Sequence, residues 1–219
     1  MRMDAYLNLL LSMESPVLPG RMAMLAATPW LWAIVLGGLV VLLAAGLARA
    51  HRLALAAGVI LWTLTPGPVS PAYWLALAFQ TPSLMSATIG LGWLAGTVRP
   101  VKYAPATLKL LTIVGVVLGW ALLLDTLALF PVSLYAWGFS PLAVVIVALV
   151  AGLIWAAQAT AGSALPFLLL VVFVLSRLPT GNVWDALLDP WLWASLQIGW
   201  LVNSARQWRQ RRSLATTRA

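Results

Sequence analysis

Long apolar runs separated by short basic clusters constrain this chain more than any single motif. A bilayer core of about 30 Å needs about 20 apolar residues of helix. Seven segments meet or approach that length: roughly 29–48, 53–65, 71–97, 107–129, 141–158, 166–178 and 190–205. Only 8% of residues are charged and 63% are hydrophobic, against about 25% and 45–50% in soluble domains. A water-soluble fold of this size cannot hide so much apolar surface, so lipid is the expected solvent. The predicted fold is an all-α membrane bundle of about seven transmembrane helices.

Helix-start chemistry divides the chain in the same way. Proline is tolerated at the first helical position, and Ser, Thr or Asp caps the residue before it. Thr28-Pro29, Ser70-Pro71, Ser140-Pro141 and Asp189-Pro190 open segments one, three, five and seven. Those are the four that run in one direction if every connection is a hairpin. Thr81-Pro82-Ser83 is a further break; the outer turn of the second hairpin is placed at 66–70 with a kink at Pro82, the alternative being a turn at 81–83.

Charge sets the expected direction. Arg49, Arg52, Arg99, Lys102, Lys109, Arg206, Arg209, Arg211, Arg212 and Arg218 fall on one side, and Arg2, Arg21 and Arg177 on the other. The positive-inside rule makes the first side cytoplasmic, with the N-terminus outside. The net charge of +8 is thus read as topology and not as nucleic-acid binding. Tryptophans cluster near the predicted boundaries, as amphipathic indoles do. Arg outnumbers Lys eleven to two, a hint of a GC-rich bacterial source and hence of a multi-pass protein of the bacterial inner membrane. No cleavable signal peptide is evident, because Asp4 and Glu14 interrupt the first twenty residues.

The expected organisation is an amphipathic interfacial segment at 1–20, one helical domain at 21–205 and a basic tail at 206–219. Within 3–13, Asp4, Asn8 and Ser12 share one face at helical spacing, predicting a helix lying on the outer interface. In the tail, Arg206, Arg209, Arg211 and Arg212 are placed to contact anionic lipid. Pro29-Trp30-Leu31-Trp32-Ala33 recurs as Pro190-Trp191-Leu192-Trp193-Ala194. Shared anchoring chemistry at helix starts explains the repeat more simply than duplication does.

Few residues offer chemistry. Asp125 is the one acid inside a predicted span, and intramembrane acids are functional suspects. It could relay an ion or proton, or pair with Arg177 at the same depth. His51 is the sole histidine and sits between arginines at an interface. Gly92 and Gly96, and Gly115 and Gly119, form small-xxx-small motifs; Ser195, Gly199 and Asn203 form a stripe at helical spacing. Both patterns suit packing within the bundle or against a partner subunit. There are no cysteines, which removes disulfides and thiolate ligands. No HExxH, GxSxG, P-loop or acidic metal cluster is present, and no metal or cofactor is expected.

The leading expectation is therefore a non-catalytic integral membrane subunit or assembly factor of a larger bacterial envelope complex. Its expected partners are the lipid bilayer and other membrane or periplasmic proteins. The alternative is a small transporter or channel using Asp125 and a helix broken at Pro82, since broken helices aim their dipoles at ions. A third option, an enzyme acting on a lipid-linked substrate, requires Asp125, His51 or the outer-face Asp185 and Asp189 to converge.

Overall fold

The computed structural model describes residues 16–96, 105–158 and 165–216. The described residues are all-α. We label the helices α1 (Arg21–Leu43), α2 (Arg49–Thr63), α3 (Pro71–Phe79), α4 (Leu84–Gly96), α5 (Pro105–Thr126), α6 (Leu134–Trp137), α7 (Pro141–Gln158), α8 (Leu165–Ser176), α9 (Val183–Leu187) and α10 (Pro190–Thr216). Two stretches, Arg21–Leu43 and Lys109–Thr126, are long and apolar enough to cross a membrane. The proposed interfacial helix at 3–13 lies outside the described residues.

Three of the four cap-proline pairs open helices. Ser70 Oγ accepts from the Ala72 backbone N–H, Ser140 Oγ from Ala143, and Asp189 Oδ1 from Leu192. The fourth does not. α1 begins eight residues earlier, at Arg21, and Pro29 lies inside it. Pro29 has no N–H to offer the preceding turn. One turn back, Thr28 Oγ1 donates to the Met24 carbonyl at 2.8 Å. Pro29 and Pro190 therefore stand in different local settings despite their shared pentapeptide.

The expected single segment at 71–97 is two helices, with residues 80–83 between them. Pro82 disfavours helical geometry at Thr81, Gln80 turns the chain with φ 61°, and Ser83 Oγ caps α4 through the Ser86 N–H at 3.0 Å. α3 bridges two helices. At its start, Ser70 Oγ donates to the Thr63 carbonyl that ends α2. At its end, the Trp32 indole of α1 donates to the Gln80 carbonyl. The turn at 66–70 and the break at 80–83 thus both exist, with α3 laid between them.

Close backbone approach organises the packing. A Cβ on Gly37 would lie 2.7 Å from Ile60, and one on Gly38 would lie 2.6 Å from the Gly90 backbone. With Thr28 meeting Thr81 and Gly38 meeting Gly90, α1 and α4 run parallel, and the short connection at 44–48 turns α2 back antiparallel to α1. α5 and α10 are antiparallel: Gly115 faces Leu196 and Gly119 faces Trp193. Trp120 packs edge-on against Trp193, with ring centroids 5.3 Å apart. Between α7 and α8, Trp155 stacks on Phe167. The core joins Leu84, Ala143, Ala151, Leu169, Leu170, Phe173, Val183 and Trp184. Large apolar side chains also cover the outside of the bundle, including Leu43 at 76% exposed, Leu153 at 70% and Leu175 at 81%.

Candidate functional site

The starts of α1, α4, α7 and α10 and the ends of α2, α5 and α8 gather at one end of the bundle. The hydrogen bonds that bring them together also concentrate its polar side chains there. Thr28 and Thr81 hydroxyls meet at 2.6 Å, the Val183 N–H reaches the Gly138 carbonyl, and Gly181 lies against the Val17 backbone. We call this the polar end.

Asp189 is the most heavily used group in it. One carboxylate oxygen caps α10 through Leu192. The other accepts from the Ser83 backbone N–H at 2.8 Å and from Ser86 Oγ at 2.6 Å. Asp189 is 9% exposed and Ser83 fully buried. This carboxylate therefore occupies the N-terminus of α4, where the helix dipole favours negative charge.

A second cluster surrounds the short helices α6 and α9. Asn182 Oδ1 caps α9 through Trp184, and its amide nitrogen donates to the Tyr135 carbonyl. The Tyr135 hydroxyl donates to Asp185 at 2.8 Å, and Thr180 Oγ1 donates to the same oxygen. Burial first, then the hydrogen bond and charge of Asp185, push the Tyr135 phenol well above its ordinary pKa, so it stays a neutral donor. Trp184 donates its indole N–H to the Leu134 carbonyl and packs against Trp137.

Asp125 ends α5 and is held by neighbours in its own connection. It accepts from Ser133 Oγ at 2.9 Å and from the Tyr135 N–H at 2.7 Å. The expected pairing with Arg177 is not found. Arg177 closes α8 with φ 58°, and its guanidinium lies over the Phe173 ring, 5.6 Å from the centroid. Ser133 and the Tyr135 N–H reach Asp125 first because the chain folds straight back after α5.

The small-residue motifs separate by position. Gly115 and Gly119 are consumed within the bundle by α10, whereas an added Cβ on Gly96 or Gly199 meets no other helix among the described residues. Gly92 is half-buried in α4, and Ser195, Gly199 and Asn203 are exposed along α10. Arg206 is exposed, and Arg209, Arg211 and Arg212 continue the same helix to Thr216. His51 is exposed in the first turn of α2, at the opposite end from the acids. His51 and the three described acids therefore do not converge on one reacting centre. No group of three His, Cys, Asp or Glu side chains able to hold a metal occurs among the described residues.

No family model matches this chain, and neither a characterised protein nor a solved structure shows detectable similarity to it.

Two features of the polar end escape a motif search, though both carry local signals. Asn182-x-x-Asp185 has the spacing of a helix cap followed by an acid in the first turn. Ser83-x-x-Ser86 after a proline marks a helix start. The Tyr135 hydroxyl carries no such signal, because its partner, Asp185, lies 50 residues away in sequence.

A cleft of about 570 Å³ opens beside these networks, between the start of α1, the end of α2 and α3. Its polar lining comes from Thr28, Thr65, Ser70, Gln80, Thr81 and Thr180. A separate apolar groove of about 410 Å³ lies between α7 and α8.

Proposed function

We propose that this chain is a multi-pass protein of the bacterial cytoplasmic membrane, serving as a non-catalytic subunit or assembly factor of an envelope complex. In this reading α1, α2, α4, α5, α7, α8 and α10 cross the bilayer. The polar end faces outside and the basic tail of α10 enters the cytoplasm, following the charge asymmetry of the sequence. The apolar side chains exposed along the helices support a lipid environment. α2, α4 and α8, with 15, 13 and 12 residues, span about 22, 20 and 18 Å at 1.5 Å per residue, so the bilayer beside them is expected to thin.

The carrying observation for a non-catalytic role is Asp189. A broken helix serves transport when its free N-terminus can meet a passing anion. Here the break before α4 exists, but the N-terminus it creates is already filled by the chain's own carboxylate. Asp125 and Asp185 are likewise engaged by hydroxyl and N–H donors of neighbouring connections. The polar groups thus serve to fasten helix ends. The expected partners are other membrane or periplasmic subunits, for which the exposed Ser195, Gly199 and Asn203 stripe offers close approach.

Reconstitution tests this. Liposomes carrying the purified chain and a trapped pH dye should lose an imposed proton or potassium gradient no faster than empty liposomes. Mild-detergent extraction from native membranes should yield the chain in stoichiometric association with other polypeptides. A gradient collapse abolished by Asp125→Asn or Asp189→Asn would replace this reading with the transporter.

A further inference from the structure

Gln80 stands out at the rim of the cleft between α1, α2 and α3. Its backbone has φ 61° and ψ −144°, a region close to the one that is essentially reserved for glycine and is strained for any residue with a side chain. Its own N–H donates to the Ala76 carbonyl, and its carbonyl accepts from the Trp32 indole at 2.9 Å. Trp32 is 3% exposed, so the surrounding packing holds the strained conformation. A glycine would relieve the strain. Glutamine instead places an amide side chain at the cleft, where it makes no hydrogen bond to the described residues. Strain that packing over-determines tends to mark sites of function.

The geometry points to this cleft as a binding site for an uncharged amphiphile of the membrane, with a hydroxylated head group on an apolar chain. This rests on the membrane reading above. Three observations select that chemistry. The lining contains hydroxyls, an amide and apolar surface but no charged side chain, so a charged head group would be left uncompensated. The volume falls within the usual range of small-molecule sites, about 300–1,000 Å³. Leu25 and Tyr73, both in the lining, are 61% and 41% exposed, so the cleft is open along the apolar flank of the bundle. The head group then sits against Gln80, Thr28 and Thr81, with its chain along Leu25 and Ala76.

Monoolein is the probe, with phosphatidylglycerol as the charged comparison, and the intact chain in detergent is the sample. Native mass spectrometry reads retained lipid, and a thermal melt reads stabilisation. Wild type should retain monoolein and melt higher with it. Ala76→Phe, which sets a phenyl ring across the path of the apolar chain, should abolish both effects. Gln80→Gly should melt higher than wild type without lipid, showing that it folds and sheds the strain. It should retain monoolein about tenfold less, the fold-change of one lost hydrogen-bonded group. Equal retention by wild type, Ala76→Phe and Gln80→Gly would overturn the site, as would cleft-dependent retention of phosphatidylglycerol over monoolein. Alkaline carbonate extraction separates the two claims, since release of the chain from membranes would refute the membrane reading whatever the lipid result.

Discussion

Replacing Asp189 with alanine should destabilise the fold more than any other single carboxylate change among the described acids. Two losses combine. Removing an N-cap side chain costs about 0.5–2 kcal/mol, and Asp189 is the α10 cap through Leu192. Stranding a buried donor costs about 1–3 kcal/mol, and the Ser83 N–H is fully buried with Asp189 as its acceptor. The simple sum is about 1.5–5 kcal/mol, and because the two losses share one side chain and need not add fully, about 1.5–4 kcal/mol is expected. For a chain of this size that is a drop of about 3–15 °C in melting midpoint. Differential scanning fluorimetry on the intrinsic tryptophans in a fixed detergent reads it directly. Asp189→Ser is the control, because its shorter side chain can still cap α10 but cannot also reach Ser83; it should recover part of the loss. A midpoint for Asp189→Ala within about 1 °C of wild type would refute the argument that this carboxylate fastens α4 to α10.

Other consequences are equally direct. Gly38→Ala and Gly90→Ala should each destabilise by about 1–3 kcal/mol through overpacking, because the added methyl meets backbone on the facing helix; Gly152→Ala, with open space, should be neutral or slightly stabilising in the same melt. Asp125→Asn and Arg177→Gln should give melting shifts that sum in the double variant, since the two side chains share no contact; a large coupling would revive the ion pair. Among the four tyrosines, one should ionise only well above the ordinary range in an absorbance titration, and Tyr135→Phe should remove that late step. Because its folded pKa is raised, the stability Tyr135 contributes is complete below pH of about 10 and is lost as pH rises through the higher folded value.

Much of the helical layout was legible because it depends on local chemistry. Ser70-Pro71, Ser140-Pro141 and Asp189-Pro190 mark true starts, since a cap and a proline act within one turn. Thr28-Pro29 misleads for a tertiary reason: Thr28 turns its hydroxyl to Met24 and Thr81, and the helix continues upstream of it. The division of 71–97 into α3 and α4 was half visible in Thr81-Pro82-Ser83. Its depth was not, because the Trp32–Gln80 bond that fixes α3 joins residues 48 apart in sequence. The site was less legible still. For Asp125 the sequence offers Arg177 as a partner, whereas the partners it finds, Ser133 and Tyr135, depend on the fold of the α5–α6 connection. Asp189 was legible as a cap for α10 and not as the anion at α4, 103 residues from Ser86. Pairwise contacts of that range leave no periodic trace in a single sequence.

Seven proposed crossings with the polar end outside can be mapped one connection at a time, because the chain has no cysteines and each introduced thiol reports alone. Cysteines would be placed singly at Val17, Leu47, Val69, Thr97, Val132, Ala161 and Leu188, and after Ala219, then probed with a membrane-impermeant maleimide on spheroplasts. Val17→Cys, Val69→Cys, Val132→Cys and Leu188→Cys should label in intact spheroplasts. The other four should label only after permeabilisation. Labelling of Leu47→Cys from outside, or protection of Val69→Cys together with Leu47→Cys, would contradict these crossings.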